Sequence, residues 1–221
     1  MNKVNKLLVP LGMIGVALYF THTILGNLLN TDYNPITTDI SSLTANGAPN
    51  VFLLRTLGFF YGICMILMII GLFTKSYIRF NRTLKRGYIL LLIMQITSLV
   101  GYSLFPLTDD KTDMNFQNIM HLVVTFIVVI TTIISSFMIA LGYLHQKETR
   151  EFGKIIFVFA ILITIFGILN PITINLRLNI LGLVERLVIY TLQILMFILS
   201  YYHTRLDYHL SGISVNGIQI R

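Results

Sequence analysis

The chain alternates between long apolar runs and short polar segments. A helix that crosses a bilayer needs about 20 mainly apolar residues, and most of the runs reach that length. Within them, glycines and polar residues recur at spacings of three and four, which is the period of an α-helix. The pattern predicts six transmembrane helices, at residues 7–29, 51–73, 87–106, 118–143, 155–169 and about 180–202. Asn170-Pro171 is expected to end or kink the fifth helix.

Composition leads to the same class of protein. Of the 221 residues, 55% are hydrophobic and 11% are charged, whereas soluble domains carry about 25% charged residues. Such a chain cannot cover a surface that faces water, so its solvent is lipid. We therefore expect an all-α fold with one transmembrane bundle at residues 1–203 and a cytoplasmic C-terminal tail at 204–221.

The net charge is +7, and the distribution of the basic residues predicts how the protein is oriented in the membrane. Most basic residues lie on one side of the predicted bundle, in both termini and in the connecting segments on the same side. They are Lys3, Lys6, Lys75, Arg79, Arg82, Lys85, Arg86, Lys147, Arg150, Lys154, Arg205 and Arg221. The other side carries only Arg55, Lys111, Arg177 and Arg186. The positive-inside rule then places both termini in the cytoplasm of a multi-pass cell-membrane protein. Because no exposed basic face is left for a phosphate backbone, no nucleic-acid partner is expected.

Residues 30–50, NTDYNPITTDISSLTANGAPN, form a polar island between two apolar runs. In the predicted topology this island lies on the outer face, as does the acidic loop at residues 107–117. Together they predict an outer polar cap over the helix ends. Asp39 or Ser41 could simply cap a short helix within the island.

Ionisable residues inside the spans gather at this outer end. They are His22, Arg55, His121, Glu185 and Arg186, and the cap adds Asp39, Ser41, Ser42, Asp109 and Asp110. Ionisable groups in membrane segments usually face the bundle interior or a wet cavity. This cluster is therefore the candidate site, although any of the arginines could instead extend to lipid headgroups.

Three kinds of chemistry are open to these residues. Histidines and carboxylates could hold a divalent metal, but no spacing matches a metal signature and no metal or cofactor is assigned. A hydrolase would use Ser41 as nucleophile, His121 as base and Asp110 to orient the histidine. A binding site would use His22, Asp39, Ser42, Arg55, Asp109, Glu185 and Arg186 to hold a ligand without reaction.

Binding or sensing of a lipid or amphipathic small molecule is the leading interpretation, and membrane lipids are the expected partners. A hydrolase that acts on a lipid or ester is the alternative, so the sequence leaves open whether the protein is an enzyme. Transport of a small solute ranks third, because the midplane offers mainly Gln95 and Gln193. The single cysteine, Cys64, excludes a disulfide within the chain. Nothing in the pattern assigns an oligomeric state.

Four short motifs occur in a telling order: T-D-I-S-S-L in the island, L-F-P before the acidic loop, a histidine early in the fourth helix, and G-L-V-E-R-L at the start of the last helix. In this order they resemble the bacterial and archaeal membrane proteins catalogued as domain of unknown function 998, over residues 7–202. A more distant similarity is to the eukaryotic Frag1/DRAM/Sfk1 membrane proteins. The resemblance implies a helical bundle of this size and no reaction. It marks Ser41, Pro106, His121 and Arg186 as motif positions, and Ser42 stands where the motif has an acidic residue.

Overall fold

The computed structural model describes the backbone of residues 3–79 and 81–215 and the side chains of residues 6–75 and 81–205. Its regular structure in these ranges is helical, with no strand. The helices are α1 (Lys3–Leu8), α2 (Leu11–Leu29), α3 (Val51–Arg79), α4 (Arg82–Leu104), α5 (Phe116–Leu144), α6 (Arg150–Asn175) and α7 (Leu181–Val215). Short 3₁₀ helices lie at Ile40–Thr44 and Lys147–Thr149.

Six of the described segments are long and apolar enough to cross a membrane, which confirms the predicted fold class. They are Lys6–Leu29, Val51–Lys75, Arg82–Leu104, Phe116–Leu144, Lys147–Asn175 and Leu181–Arg205. The protein is therefore a multi-pass helical membrane protein. Because the number of spans is even, both ends of the described chain lie at the same end of the bundle.

The six helices from α2 to α7 pack in a ring. Each helix contacts its neighbours in the chain, and α7 returns to contact α2. The packing is most extensive between α4 and α5 and least extensive at the α2–α7 seam. The main core includes Met65, Met68, Tyr88 and Tyr143, which are fully buried.

The turn between α3 and α4 is shorter than predicted. Residues 74–86 were expected to form a loop, but α3 continues to Arg79 and α4 starts at Arg82. Asn81 explains the early start, because its side chain accepts a hydrogen bond from the backbone N–H of Leu84 at 2.9 Å and so caps α4. Its amide also donates to the carbonyl of Gly142 at 2.7 Å, which ties this turn to α5.

The fifth predicted helix, which is α6 in the structure, does not end at Asn170-Pro171. Pro171 lies inside α6, which continues to Asn175. A proline has no N–H, so the carbonyl of Gly167 loses its usual helical donor, a loss that membrane helices tolerate.

The last helix is longer than predicted. It was expected to end near residue 202, but α7 continues to Val215, and His203 is only 1% exposed. The first part of the predicted tail at 204–221 is therefore helical, and residues 216–221 lie outside the described residues. The boundary of the tail and its cytoplasmic location stay predictions.

Residues 30–50 and 105–115 form two loops at one end of the ring, and we call them the cap. The ends of the bundle are accordingly the cap end and the opposite end. The two loops contact each other, since the N–H of Asn46 donates to the carbonyl of Leu107 at 2.8 Å. Below the first loop, Leu43 is 1% exposed and packs against Gly26 of α2.

Candidate functional site

Arg186, near the start of α7, holds the first half of the cap. Its Nη1 atom donates to the carbonyls of Pro35, Thr38 and Gly182 at 2.6, 3.1 and 2.9 Å. Its Nη2 atom donates to the hydroxyl of Tyr33. With 9% of its surface exposed, Arg186 is buried under this loop. A residue predicted to bind a ligand therefore binds the protein's own backbone.

Tyr33 completes this contact. Its ring lies 5.3 Å from the guanidinium carbon of Arg186, and its hydroxyl donates to the carbonyl of Asp39 at 2.9 Å. Burial raises the pKa of the Tyr33 hydroxyl to about 12. The hydroxyl therefore stays protonated at neutral pH and can keep donating to the cap.

Arg55, in the first turns of α3, holds the second half of the cap. Its Nε and Nη2 atoms donate to the carbonyl of Thr44 at 3.1 and 2.8 Å, and Nη2 also donates to the Asn46 side chain at 2.9 Å. The side chain itself is exposed. Arg55 thus neither lies in a buried charged network nor points only toward lipid headgroups.

The acidic residues of the cap mainly organise its loops. Asp39 accepts hydrogen bonds from the Lys111 ammonium group, at 2.8 Å, and from the Ser42 hydroxyl. Since Lys111 lies in the second loop, this ion pair joins the two loops. Asp39 also occupies the N-cap position of the 3₁₀ helix Ile40–Thr44, but its side chain makes no capping hydrogen bond there.

Asp109 and Asp110 are both exposed in the second loop. Asp110 accepts from the backbone N–H and the hydroxyl of Thr112 at 2.9 and 2.6 Å, and these bonds lower its pKa. Asp109 lies against Gly47, whose φ of +80° is in the region that favours glycine. A side chain on Gly47 would clash with the Asp109 carboxylate.

A buried asparagine that sequence reasoning missed arranges this second loop. Asn118, 2% exposed on α5, donates to the carbonyls of Asp110 and Asp113 at 2.9 and 2.8 Å. Its side-chain oxygen accepts from the N–H of Thr108 at 3.0 Å. The acidic loop therefore folds around the side-chain amide of Asn118.

His121 lies on α5 below the second loop and is 6% exposed. Its Nδ1 atom is 2.8 Å from the carbonyl oxygen of Phe105, and its ring is 4.9 Å from that of Tyr102. Because a carbonyl only accepts, Nδ1 carries the proton and Nε2 keeps a lone pair. His121 is thus oriented as a neutral acceptor.

The predicted catalytic residues are not brought into contact. Among the described side chains, no hydrogen bond joins His121 to Ser41, Ser42 or Asp110, and Phe105 takes the orienting role expected of Asp110. The Ser42 hydroxyl is bonded to Asp39. No group of three possible metal-binding side chains occurs in the residues searched, which are those that the structure describes. Catalysis stays a prediction without a contact that favours it.

Glu185 has an unusual environment for a carboxylate inside a membrane span. Its Oε2 atom accepts from the N–H of Ile40 at 2.6 Å, which links α7 to the 3₁₀ helix of the cap. Its other oxygen has no hydrogen-bond donor, and no cation pairs with it, among the described residues. Along α7, Glu185 precedes the buried Gln193 by about two helical turns.

Below the cap, aromatic and polar side chains from five helices come together. We call them the inner polar cluster: Tyr19, His22, Tyr61, Tyr102, His121, Glu185 and Gln193. The rings of Tyr19 and Tyr61 are 4.9 Å apart, and those of Tyr19 and His22 are 5.9 Å apart. The amide of Gln193 donates to the Tyr61 hydroxyl at 2.7 Å. The sequence analysis had included His22, His121 and Glu185 in the candidate site but not the three tyrosines or Gln193. The sequence pattern that could have identified them is their position on inward helix faces.

Two members of the inner polar cluster have unpaired polar atoms. His22 is 5% exposed, and neither of its ring nitrogens has a partner in the part of the chain that the structure describes. Gln193 is 1% exposed, and its Oε1 atom likewise has no described partner. Buried side-chain polar atoms are normally hydrogen-bonded. These unpaired atoms make the inner polar cluster the candidate functional site.

An apolar groove of about 290 Å³ lies at the α2–α7 seam. Its lining residues are Met13, Val16, Ala17, Phe20, Ile194 and Phe197. At its cap-side end, the Phe20 ring is 5.0 Å from the ring of Tyr190, and the Tyr190 hydroxyl donates to that of Thr23 at 3.3 Å. Phe20, at this end of the groove, precedes His22 by two residues, about 3 Å along the axis of α2.

The geometry defines a class: a six-helix integral membrane protein with a capped end and a polar cluster beneath the cap. The chain belongs to the family described as Protein of unknown function (DUF998), whose family model matches residues 13–202. This confirms the resemblance carried by the four motifs, whereas the similarity to Frag1/DRAM/Sfk1 stays a prediction. Searches of curated proteins and of solved structures gave no match to this chain.

Proposed function

We propose that this protein binds an amphipathic molecule that reaches it from the membrane. The polar group of the ligand occupies the inner polar cluster, and its apolar chain lies along the groove at the α2–α7 seam. The site is on the outer side of the cell membrane if the charge bias of the sequence sets the orientation.

The observation that carries this proposal is the unpaired state of His22. A buried polar group without a hydrogen bond costs about 1–3 kcal/mol. The two ring nitrogens of His22 and the Oε1 atom of Gln193 have no partner among the described residues. A ligand's polar group that bonds these atoms would recover that free energy, and the proposed affinity comes from this gain.

The groove supports an amphipathic ligand over a wholly polar one. All six of its lining side chains are apolar, and its volume of about 290 Å³ is near the lower end of the roughly 300–1,000 Å³ of ligand pockets. It lies on two transmembrane spans, so its surroundings are acyl chains. One hydrocarbon chain is therefore its natural occupant.

The cap connects this site to the aqueous side. Two hydrogen bonds link the cap directly to the inner polar cluster: that from Ile40 N–H to Glu185 and that from His121 to the carbonyl of Phe105. A ligand that changes the position of Glu185 would thus also act on the 3₁₀ helix Ile40–Thr44. This link is what a sensing role would require.

Transport has less support. Near the midplane, the interior includes the apolar side chains of Met65, Met68, Leu91 and Met196, which are at most 2% exposed. A solute path would need polar groups or broken helices near the bilayer midplane. Binding accounts for the described polar atoms without such a path.

The test replaces His22 by leucine. The delipidated protein in dodecyl maltoside is incubated with phosphatidylethanolamine or phosphatidylglycerol of matched chains, and retained lipid is measured by native mass spectrometry. We expect wild-type protein to retain lipid and His22→Leu to lose most of it. Without lipid, the variant should unfold at the same or a higher temperature, because an unpaired buried polar group is gone.

His145→Leu is the matched control, since His145 is exposed at the opposite end. It should retain lipid as wild type does. His22→Gln keeps hydrogen-bonding atoms and should retain part of the binding. Failure of wild-type protein to retain any amphiphile, or equal retention by His22→Leu, would refute the proposed function.

A further inference from the structure

We propose that the polar group of the ligand is an organic cation, an ammonium group that Glu185 binds among tyrosine rings. The inference rests on the proposed function and specifies the chemical class of its ligand. Three observations support it: the Glu185 carboxylate has no cationic partner among the described residues, tyrosine rings lie in the same cluster, and most of the unpaired atoms there are hydrogen-bond acceptors.

The carboxylate is the first observation. Glu185 is the one Asp or Glu that the spans carry in their cap-end halves. An ionised carboxylate at membrane depth is normally paired. Within residues 6–75 and 81–205, only Ile40 N–H bonds it, and only one of its oxygens is used. A cationic ligand would supply the missing partner.

Neighbouring cations do not fill this role. Arg186 directs its donors to cap carbonyls and to Tyr33, and Lys111 is paired with Asp39 at 2.8 Å. The donors of Arg55 are bonded to Thr44 and Asn46. Because these basic groups are already bonded, the site has little to offer an anionic headgroup.

Tyrosine rings are the second observation. A cation within about 6 Å of a tyrosine ring centroid is attracted by the ring face, as in aromatic cages for ammonium groups. The rings of Tyr19 and Tyr61 lie 4.9 Å apart, and the ring of Tyr102 lies 4.9 Å from that of His121. The Tyr61 hydroxyl accepts from Gln193, which follows Glu185 by about two helical turns in α7. All three tyrosine rings are only partly buried, so surface beside them stays accessible.

The unpaired atoms are the third observation. Oε1 of Gln193 only accepts, and Nε2 of His121 accepts because Nδ1 donates to Phe105. A neutral His22 adds one further acceptor. Together with the free oxygen of Glu185, the inner polar cluster presents mainly acceptors. An ammonium group, which only donates, is complementary to them.

The experiment compares three probes that separate charge from chain. Dodecylammonium is cationic at neutral pH, dodecanoate has a chain of the same length and the opposite charge, and methylammonium has the head without the chain. Kd values are measured by native mass spectrometry titration in dodecyl maltoside. We expect wild-type protein to bind dodecylammonium at least tenfold more tightly than dodecanoate, and methylammonium weakly.

Glu185→Gln removes the charge and keeps an acceptor for Ile40 N–H. It should weaken dodecylammonium binding about a hundredfold and leave dodecanoate binding as tight as before or tighter, because a repelling charge is gone. Glu151→Gln is the matched control, because Glu151 is exposed and pairs only with Lys154 at 2.7 Å. It should bind as wild type does.

A second pair of variants does not depend on the folding of Glu185→Gln. Tyr19 makes no described side-chain hydrogen bond, so Tyr19→Phe should keep the affinity within about twofold, whereas Tyr19→Leu should lower it about tenfold. Equal losses in both would count against a role for the ring face.

The outcomes separate the two proposals. Equal binding of dodecanoate and dodecylammonium, or no effect of Glu185→Gln, overturns the cation inference and leaves amphiphile binding in place. Binding of neither chain-bearing probe overturns the proposed function as well. Methylammonium binding as tight as that of dodecylammonium supports recognition of the ammonium group and overturns the role of the groove.

Discussion

At the scale of single residues, the cationic groups at the cap end act on the backbone of the cap. Loops at membrane depth leave carbonyl groups that lipid cannot bond. Arg186 and Arg55 supply donors to the carbonyls of Pro35, Thr38 and Thr44. One guanidinium can reach several carbonyls because its donors form a planar fork. The planar guanidinium therefore explains why both arginines stabilise the cap backbone.

Arg186→Lys tests this interpretation. Lysine keeps the charge but has no fork, so some of the carbonyls and Tyr33 lose their donor. We expect the free energy of unfolding to fall by about 2 kcal/mol, seen as a lower midpoint of thermal unfolding in detergent. Arg205→Lys, at an exposed position whose described side-chain contacts are with Tyr201, should change it little. Equal shifts in both variants would contradict the role of Arg186.

The opposite end has its own buried polar contact. The hydroxyls of Tyr88 and Tyr143 are 2.6 Å apart, and that of Tyr143 also bonds Nε2 of His203. The three residues are at most 1% exposed and come from α4, α5 and α7. Satisfied buried networks of this kind specify one arrangement of helices. They set the register of these helices away from the candidate site.

At the scale of elements, the first turns of α7 form the surface on which the cap rests. The N–H of Leu183 donates to the carbonyl of Ile36 at 2.9 Å, and Glu185 and Arg186 bond Ile40 and Pro35. Gly182 allows the loop to come this close, because a side chain there would lie 2.7 Å from the carbonyl oxygen of Pro35. The motif G-L-V-E-R-L is thus a docking site for the cap.

Gly182→Ala should therefore displace the cap. The new methyl group would clash with the carbonyls of Pro35 and Thr38, which belong to the backbone and cannot rotate away. We expect the free energy of unfolding to fall by about 2 kcal/mol and the cap to become more susceptible to proteolysis. Gly58→Ala is the matched control: nothing lies within 4 Å of the position of its added methyl group. Since alanine favours a helix, that variant should be neutral or up to about 1 kcal/mol more stable.

At the scale of the whole molecule, the ring determines where ligands can enter. Each helix is packed on two neighbours, and the α2–α7 seam is the least extensive contact in the ring. The groove lies at this seam, and the same two helices contribute Tyr19, His22, Glu185 and Gln193 to the inner polar cluster. The architecture therefore places the apolar and the polar part of the proposed site side by side.

The orientation of the ring is a prediction of the charge bias. In a Cys64→Ser background, single cysteines are placed at Met114 in the cap and at Glu148 at the opposite end, both exposed. An impermeant maleimide added to intact cells should label Met114→Cys and spare Glu148→Cys until the cells are opened. The reverse pattern would place the cap in the cytoplasm and contradict an outer site.

The sequence by itself determined the class of protein, the six spans and the clustering of ionisable residues at one end. Those properties are local, because hydropathy and charge are read along a single segment. It also identified His22, His121 and Glu185, since ionisable groups inside apolar runs stand out. The ends of α3, α4 and α7 were less predictable, because buried contacts such as that of Asn81 with Gly142 decide them.

Only the tertiary structure decided which group each polar residue contacts. Arg186 and Pro35 are 151 positions apart in the chain, and Tyr61 and Gln193 are 132 positions apart. No spacing or motif encodes such a pair, because the contact exists only after the ring has closed. Closure turns the arginines toward the cap and the carbonyl of Phe105 toward His121. It leaves Glu185, His22 and Gln193 as the groups below the cap with unused bonding capacity.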